Sequence, residues 1–183
     1  MKNVSFSPQF QDKDREYPNS HLIQSLCGVS FFIIWFLDSF ILKFSIGVSS
    51  LIPFVIRLST FLIILVIAIK LLQLAHDSLF NEREQESSDN PSEHHHPNKL
   101  IDTGIMAYIR HPLYLGVLLV YLAFVSVTLS ISSLAVWIVI FGLYNKMASF
   151  EEVQLEIMFG KSYVDYKNRV PKWIPLNLFA SSE

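Results

Sequence analysis

A chain of 183 residues with 51% apolar and 16% charged residues is poor in charge for a soluble domain, where about a quarter is usual. A net charge of −2 and the lack of a basic helix exclude nucleic acid as the main partner, and a mean hydropathy of +0.39 points to lipid as the solvent. The single cysteine, Cys27, excludes an intrachain disulfide and a thiol-rich metal site and reads as a small filler inside an apolar run.

The first predicted span is Leu22–Phe44, which contains LCGVSFFIIWFL and follows a polar tail. About 20 apolar residues cross a hydrocarbon core of about 30 Å. The run is too long for the apolar region of a signal peptide and lacks a small-residue cleavage site. The second begins near Leu51 and runs through FLIILVIAIKLLQL to about Ala75, with the helix extending as far as Phe80. Asp38 and Arg57 lie towards the same end of these two spans and are expected to pair, because an isolated charge in hydrocarbon is costly. Lys70 falls about 28 Å along the second span, near the opposite boundary, where its ammonium can snorkel to water. His76 and Asp77 follow as interfacial residues that could border a site there.

Asn81–Pro97 reads NEREQESSDNPSEHHHP and has no apolar period, so it is expected to be a polar loop. His94, His95 and His96 are adjacent and lack the spaced, converging ligands of a zinc site, so no metal is expected. The third span is Leu113–Ser130. Pro112 suits the first helical position, which places His111 at the cap and a short helix over about Asp102–Ile109 before it. The fourth span runs from Ile131 to about Lys146, and its helix carries Glu151 about 30 Å from its start. Phe159–Gly160 reads as a helix end. Beyond it Tyr163, Tyr166 and Val170 recur at helical spacing between basic residues, and Pro171 and Pro175 flank Trp173, the pattern of an interfacial anchor.

The expected fold is all-α: a polytopic integral membrane protein with four long transmembrane helices and a short fifth helix before His111. Its parts are a tail over 1–20, two transmembrane helices over 21–80, a polar loop over 81–98, and a core over 99–183 with two more spans and the interfacial segment. Eleven of the 14 lysines and arginines then fall on one side, which the positive-inside rule places in the cytosol with both termini.

On that side two clusters reach one depth. Arg110 and His111 stand at a helix start whose N–H groups attract anions. Glu151 and Glu152 stand on the adjoining helix, joined to the first by a very short turn. With tyrosines at 108, 114 and 144 and a glycine-flanked approach, they suit a small ligand of mixed charge.

The residues Leu100–Gly104 (LIDTG), Arg110–Gly116 (RHPLYLG), Glu151–Glu152, Phe159–Gly160, Tyr163, Tyr166 and Arg169–Pro171 (RVP) follow in order. Over about residues 99–175 the chain thereby resembles the isoprenylcysteine carboxyl methyltransferase family and the related phospholipid N-methyltransferases. The first two spans match only in being helices. The resemblance implies S-adenosylmethionine as methyl donor at the cytosolic face. It carries donor-binding roles onto Asn98, Lys99, Leu100, Ile101, Gly104, Met106, His111, Pro112, Leu113, Tyr114 and Glu151, and catalytic roles onto Arg110, Glu151 and Glu152, with Arg110 alternatively bracing a glutamate. It also implies a lipophilic or prenylated acceptor drawn from the membrane lipid, foremost the carboxylate of an isoprenylated cysteine. An amine acceptor such as phosphatidylethanolamine is the alternative. Sterol reductases, which bind NADPH at a similar RHPxY region, and a non-catalytic scaffold are weaker rivals. Three departures stand out: Asn98 replaces a histidine of eukaryotic-type members while His96 stands two residues earlier, Met106 replaces an aromatic, and Met147 replaces an acceptor-side arginine. They leave the donor set intact and alter the acceptor side.

Overall fold

The computed structural model describes residues 17–44, 51–89 and 100–174, of which residues 81–89 are described by their backbone alone. Every regular element among them is helical. Helix α1 (Ser20–Phe36) runs on into a π-helical turn, Leu37–Leu42, which stops at Lys43 with φ 56°. Helix α2 is Phe54–Asp89, a 3₁₀ turn covers Gly104–Ala107, and α3 (Pro112–Thr128), α4 (Ile131–Phe159) and α5 (Lys161–Arg169) follow.

Three stretches are long and apolar enough to cross a membrane: Ser20–Leu42, Phe54–Phe80 and Ile131–Phe159. The fourth apolar helix, α3, has 17 residues, about 26 Å at 1.5 Å per residue. Large side chains such as Leu26 and Phe36 on α1 or Val55 and Ile63 on α2 are more than half exposed, as they are where the solvent is lipid. This is the surface of a membrane protein.

One boundary differs from expectation. The helix of α2 does not stop before the polar stretch but continues through Asn81–Asp89. Glu, Arg and Gln are good helix formers, and extending an existing helix avoids the cost of nucleating a new one, so no apolar period is needed there. The remainder of that stretch, including His94, His95 and His96, lies outside the described residues. Helix α4 runs past its apolar span to Phe159, where Gly160 takes φ 55° and ends it, at the end read from the sequence.

The bundle centres on α3 and α4. Helix α2 packs along α3 and α1 lies on α4. The α2–α3 approach is close at Gly116, where a Cβ would come within 2.6 Å of Leu72 Cγ, and small residues such as Ala68 and Ala75 are wholly buried on α2. Between α1, α3 and α4 lies a core of Cys27, Phe31, Leu118, Tyr121, Val125, Ile140 and Tyr144. Indole donors tie it further: Trp35 Nε1 donates to the Phe124 carbonyl (3.0 Å) and Trp137 Nε1 to that of Leu118 (2.8 Å).

The expected Asp38–Arg57 pair is replaced by other bonds. Ser130 caps α4, accepting the Ser133 N–H at 3.1 Å, and its hydroxyl donates to Asp38 Oδ2 at 2.5 Å. Arg57 donates from Nη1 to the Val127 carbonyl (2.9 Å) and from Nε to that of Ile52 (3.2 Å), with its guanidinium 5.5 Å from the Phe54 ring centre. The last carbonyls of a helix lack partners within it, and the end of α3 supplies one to Arg57.

Candidate active site

Pro112 occupies the first turn of α3, where its missing N–H costs nothing, and His111 is the N-cap. The His111 side chain makes no capping hydrogen bond to this helix start. The chain leading into it is held from behind: Arg110 N–H donates to the Pro171 carbonyl (3.0 Å) and His111 N–H to that of Lys172 (3.3 Å). The turn Leu129–Ser130 folds α4 back beside α3 and returns Glu151 and Glu152 to this level. Successive residues on a helix point about 100° apart, so the two glutamates meet different neighbours.

Glu152 points inward. Its Oε1 accepts from Arg110 Nε at 3.0 Å, lies 3.0 Å from Arg110 Nη2 and 3.1 Å from His111 Nε2. Arg110 Nη1 donates to the carbonyls of Lys167 (2.7 Å) and Val170 (2.6 Å), so all three guanidinium nitrogens are engaged. The side chains of Arg110 and Glu152 are 10% and 7% exposed, a degree of burial at which unmatched charges would be expensive. A carboxylate only accepts, so His111 carries its proton on Nε2.

Glu151 is more open, at 22%. The Tyr114 hydroxyl donates to its Oε1, and its Oε2 lies 3.8 Å from His111 Nδ1. The His111 ring is stacked parallel to Tyr114 at 5.8 Å, with Trp173 at 5.9 Å. Tyr114 in turn meets the buried Tyr144 edge-on at 5.2 Å.

The segment after Gly160 packs one face as a clamp on the protein. Tyr163, Tyr166 and Val170 are buried against Leu100, Leu155 and Phe159. Tyr166 donates to the Met106 carbonyl (2.8 Å), and Arg169 lies 3.7 Å from Asp102. Helical spacing of aromatics declares one buried face but not whether lipid or protein covers it. Burial pushes the Tyr166 hydroxyl up to about 12 and that of Tyr163 up as well. On the other side, Gly104 has φ +56° and lies so close to Ser78 of α2 that a Cβ would collide with its Oγ, which also faces the Ile105 N–H at 3.4 Å. The 100–111 stretch is thus held between α2 and α5.

The structure therefore brings together Arg110, His111, Pro112, Tyr114, Glu151 and Glu152. Leu113 is exposed on the same first turn. Leu100 packs on the clamp, Ile101 is half-buried and Met106 is buried with its carbonyl bonded. Gly104 faces α2. Asn98 and Lys99 lie outside the described residues. Tyr108 is exposed, and His76 and Asp77 are exposed on α2, where they meet each other at 3.8 Å without joining the cluster. Met147 is buried. Among the described residues no group of three His, Cys, Asp or Glu side chains is arranged to hold a metal ion. Sequence reasoning missed Ser78 and Trp173 as parts of the site's frame. Trp173 Nε1 donates to Asn145 Oδ1 (3.2 Å), and Lys172 Nζ donates to Ser149 Oγ (2.7 Å). The prolines flanking Trp173 were the available sign that this tail is fixed.

Two curated relatives cover part of the chain. The Arabidopsis thaliana protein-S-isoprenylcysteine O-methyltransferase B is 35% identical over 85 residues, 45% of this chain and 42% of that protein. The Schizosaccharomyces pombe protein-S-isoprenylcysteine O-methyltransferase is 35% identical over 78 residues, 42% of this chain and 33% of that protein. The matches thus span less than half of either relative. No solved structure matches. The motif-borne resemblance to isoprenylcysteine methyltransferases is borne out by these relatives. Over residues 7–168, which include the two motif-free helices, the chain matches the family described as protein of unknown function (DUF1295), and it belongs to that family.

Proposed function

We propose that this member of the DUF1295 family is an S-adenosylmethionine-dependent methyltransferase whose acceptor is lipophilic, foremost the carboxylate of an isoprenylated cysteine or a similar prenyl compound. One observation carries the reading. Beside the start of α3, which the His111 side chain does not cap, Glu151 meets Tyr114 and His111, while the adjacent Glu152 is consumed by Arg110. The relatives' names supply the direction of the chemistry.

The residues fit the donor's groups. The N–H groups of Leu113 and Tyr114 at the helix start suit its carboxylate. Glu151 suits its ammonium, and the faces of His111, Tyr114 and Trp173 suit its adenine. When bound, the donor supplies an electrophilic methyl group on a sulfonium. The chain's part is positional. Arg110 and Glu152 lock the start of α3 against α4 and the clamp, Tyr114 orients Glu151, and Trp173 covers the ring stack and helps to exclude water. A carboxylate acceptor is already ionised at neutral pH, so no general base is required of these residues. In this reading α3 is the fourth span, and the site and both termini lie on the cytosolic side, in keeping with the distribution of lysine and arginine.

Calorimetric titration of the detergent-purified chain with S-adenosylhomocysteine, beside NADPH, tests the proposal. The first ligand alone is expected to bind, and Glu151→Ala is expected to weaken it by about tenfold to a hundredfold without lowering the melting temperature. Unchanged affinity in that variant would sink the assignment of Glu151. Binding of NADPH alone would replace the methyltransferase reading by a reductase-like one. With the donor site established, methylation assays on a prenylcysteine and on phosphatidylethanolamine separate the two acceptors.

A further inference from the structure

At the end of the helices remote from Glu151, the π-helical turn of α1, the first turns of α2 and the last turn of α3 line a half-open cavity of about 440 Å³. It lies near Val127 and Thr128, 15 and 16 residues along α3 from Pro112, or about 24 Å. Much of its wall is aromatic, from Trp35, Phe54, Phe61 and Phe124, which suits a hydrocarbon chain.

Its polar groups have one net sign. Lys43 and Arg57 bring two positive charges and Asp38 one negative. The Asp38 side chain is buried and bonded to Ser130, inside the protein. Arg57 uses Nε and Nη1 on backbone carbonyls, and its Nη2 makes no hydrogen bond to a described residue. The Ser39 hydroxyl in the same wall is buried without a partner. The backbone here is also unusual. π-helical turns are rare and cluster at functional sites, and this one ends on Lys43 in the left-handed region, which costs a non-glycine residue about 1 kcal/mol. A wall both aromatic and cationic, at the end of membrane-spanning helices, matches a molecule with an apolar chain and a singly charged anionic head.

We infer that this cavity is a binding site for an anionic phospholipid, its phosphodiester between Lys43 and Arg57 and its chain along Phe54, Phe61 and Phe124. One phosphodiester charge would neutralise the site. The inference is independent of the chemistry at Glu151.

The test is native mass spectrometry and thermal melting of the full-length chain in detergent with phosphatidylglycerol, phosphatidylcholine or inorganic phosphate. Phosphatidylglycerol is expected to bind one per chain and raise the melting temperature, with phosphatidylcholine and inorganic phosphate giving at most a tenth of that affinity. Lys43→Gln is expected to weaken phosphatidylglycerol about tenfold, and Leu58→Trp, which fills the cavity and keeps its charges, to block it. Equal binding of the two lipids overturns the charge argument. Unaltered binding in both variants overturns the location. Inorganic phosphate binding as tightly as phosphatidylglycerol overturns the lipid in favour of a free anion.

Discussion

Two arginines stand at opposite ends of the helices and do half of their work alike. Arg110 donates to the last carbonyls of α5 and Arg57 to one near the end of α3, so each satisfies a helix terminus. They differ in the remaining half. Arg110 also meets a buried carboxylate that His111 shares, and every nitrogen is spent. Arg57 has no carboxylate among its hydrogen-bond partners in the described residues and lies over the Phe54 ring. A cation matched by a buried anion is architecture, whereas a cation held by neutral carbonyls keeps its charge for a ligand.

The largest effect is expected where this matching is broken. Arg110→Gln removes the nearest full charge from the buried Glu152, leaving His111, Lys167 at 4.0 Å and the charge of Lys172, and should destabilise the protein by about 3 kcal/mol. Thermal melting in detergent measures it, and S-adenosylhomocysteine affinity should fall with the fold. Lost affinity with an unchanged melting temperature would break the comparison by making Arg110 a ligand-binding group.

Next comes Gly104→Ala. The residue must hold φ +56° and its new methyl group must displace Ser78 Oγ, a strain of about 1–2 kcal/mol plus the collision. Adding Ser78→Ala should restore part of the loss, since the hydroxyl is the nearest obstacle. No recovery in the double variant would mean that backbone strain alone sets the cost.

These two sites mark what the sequence makes legible. Pro112 and Gly160 declare helix ends by their own conformational limits, and rise per residue then brings Glu151 and Glu152 to the depth of Arg110 and His111. The partners of Asp38 and Arg57 were not legible, because helix-end carbonyls and a capping serine carry no formal charge to count. Nor was the role of Gly104 and Gly116. Their spacing in the motif suggests room for a ligand, yet both lie against α2, whose relevant residues, Ser78 and Leu72, belong to no motif. The clamp shows a third limit: Tyr163 and Tyr166 have the period of a buried face under either solvent, and their period does not name Leu100, Leu155 and Phe159 as what covers them.

The clamp also gives the motif end a sensitivity to alkali. The neutral Tyr166 hydroxyl bonds to Met106, and burial raises its pKa from 10.0 to about 12. A raised folded value means that the stabilisation is complete below the unfolded pKa and is lost as pH climbs from about 10 to about 12. Melting temperature should therefore drop across that range. Tyr166→Phe should cost about 1 kcal/mol at neutral pH and shallow the drop. Tyr163 keeps part of the slope, because burial raises its pKa too. An unchanged slope would place Tyr166 in contact with water.

A last, modest effect sharpens the comparison from the other side. Arg57→Gln removes a bond to the Val127 carbonyl and the contact with Phe54, but strands no hydrogen-bonded carboxylate, so about 1–2 kcal/mol is expected. The tyrosines that set the alkaline slope lie in the clamp at the other end of the helices, so the slope between pH 10 and pH 12 should stay that of the unaltered chain. S-adenosylhomocysteine affinity should also be unchanged, because the end of α3 that Arg57 holds is about 24 Å from Pro112. If Arg57→Gln instead cost as much as Arg110→Gln, Arg57 would be matched to a buried anion after all. Asp38, on the wall of the same cavity, would be that anion, and the phosphodiester would lose its place.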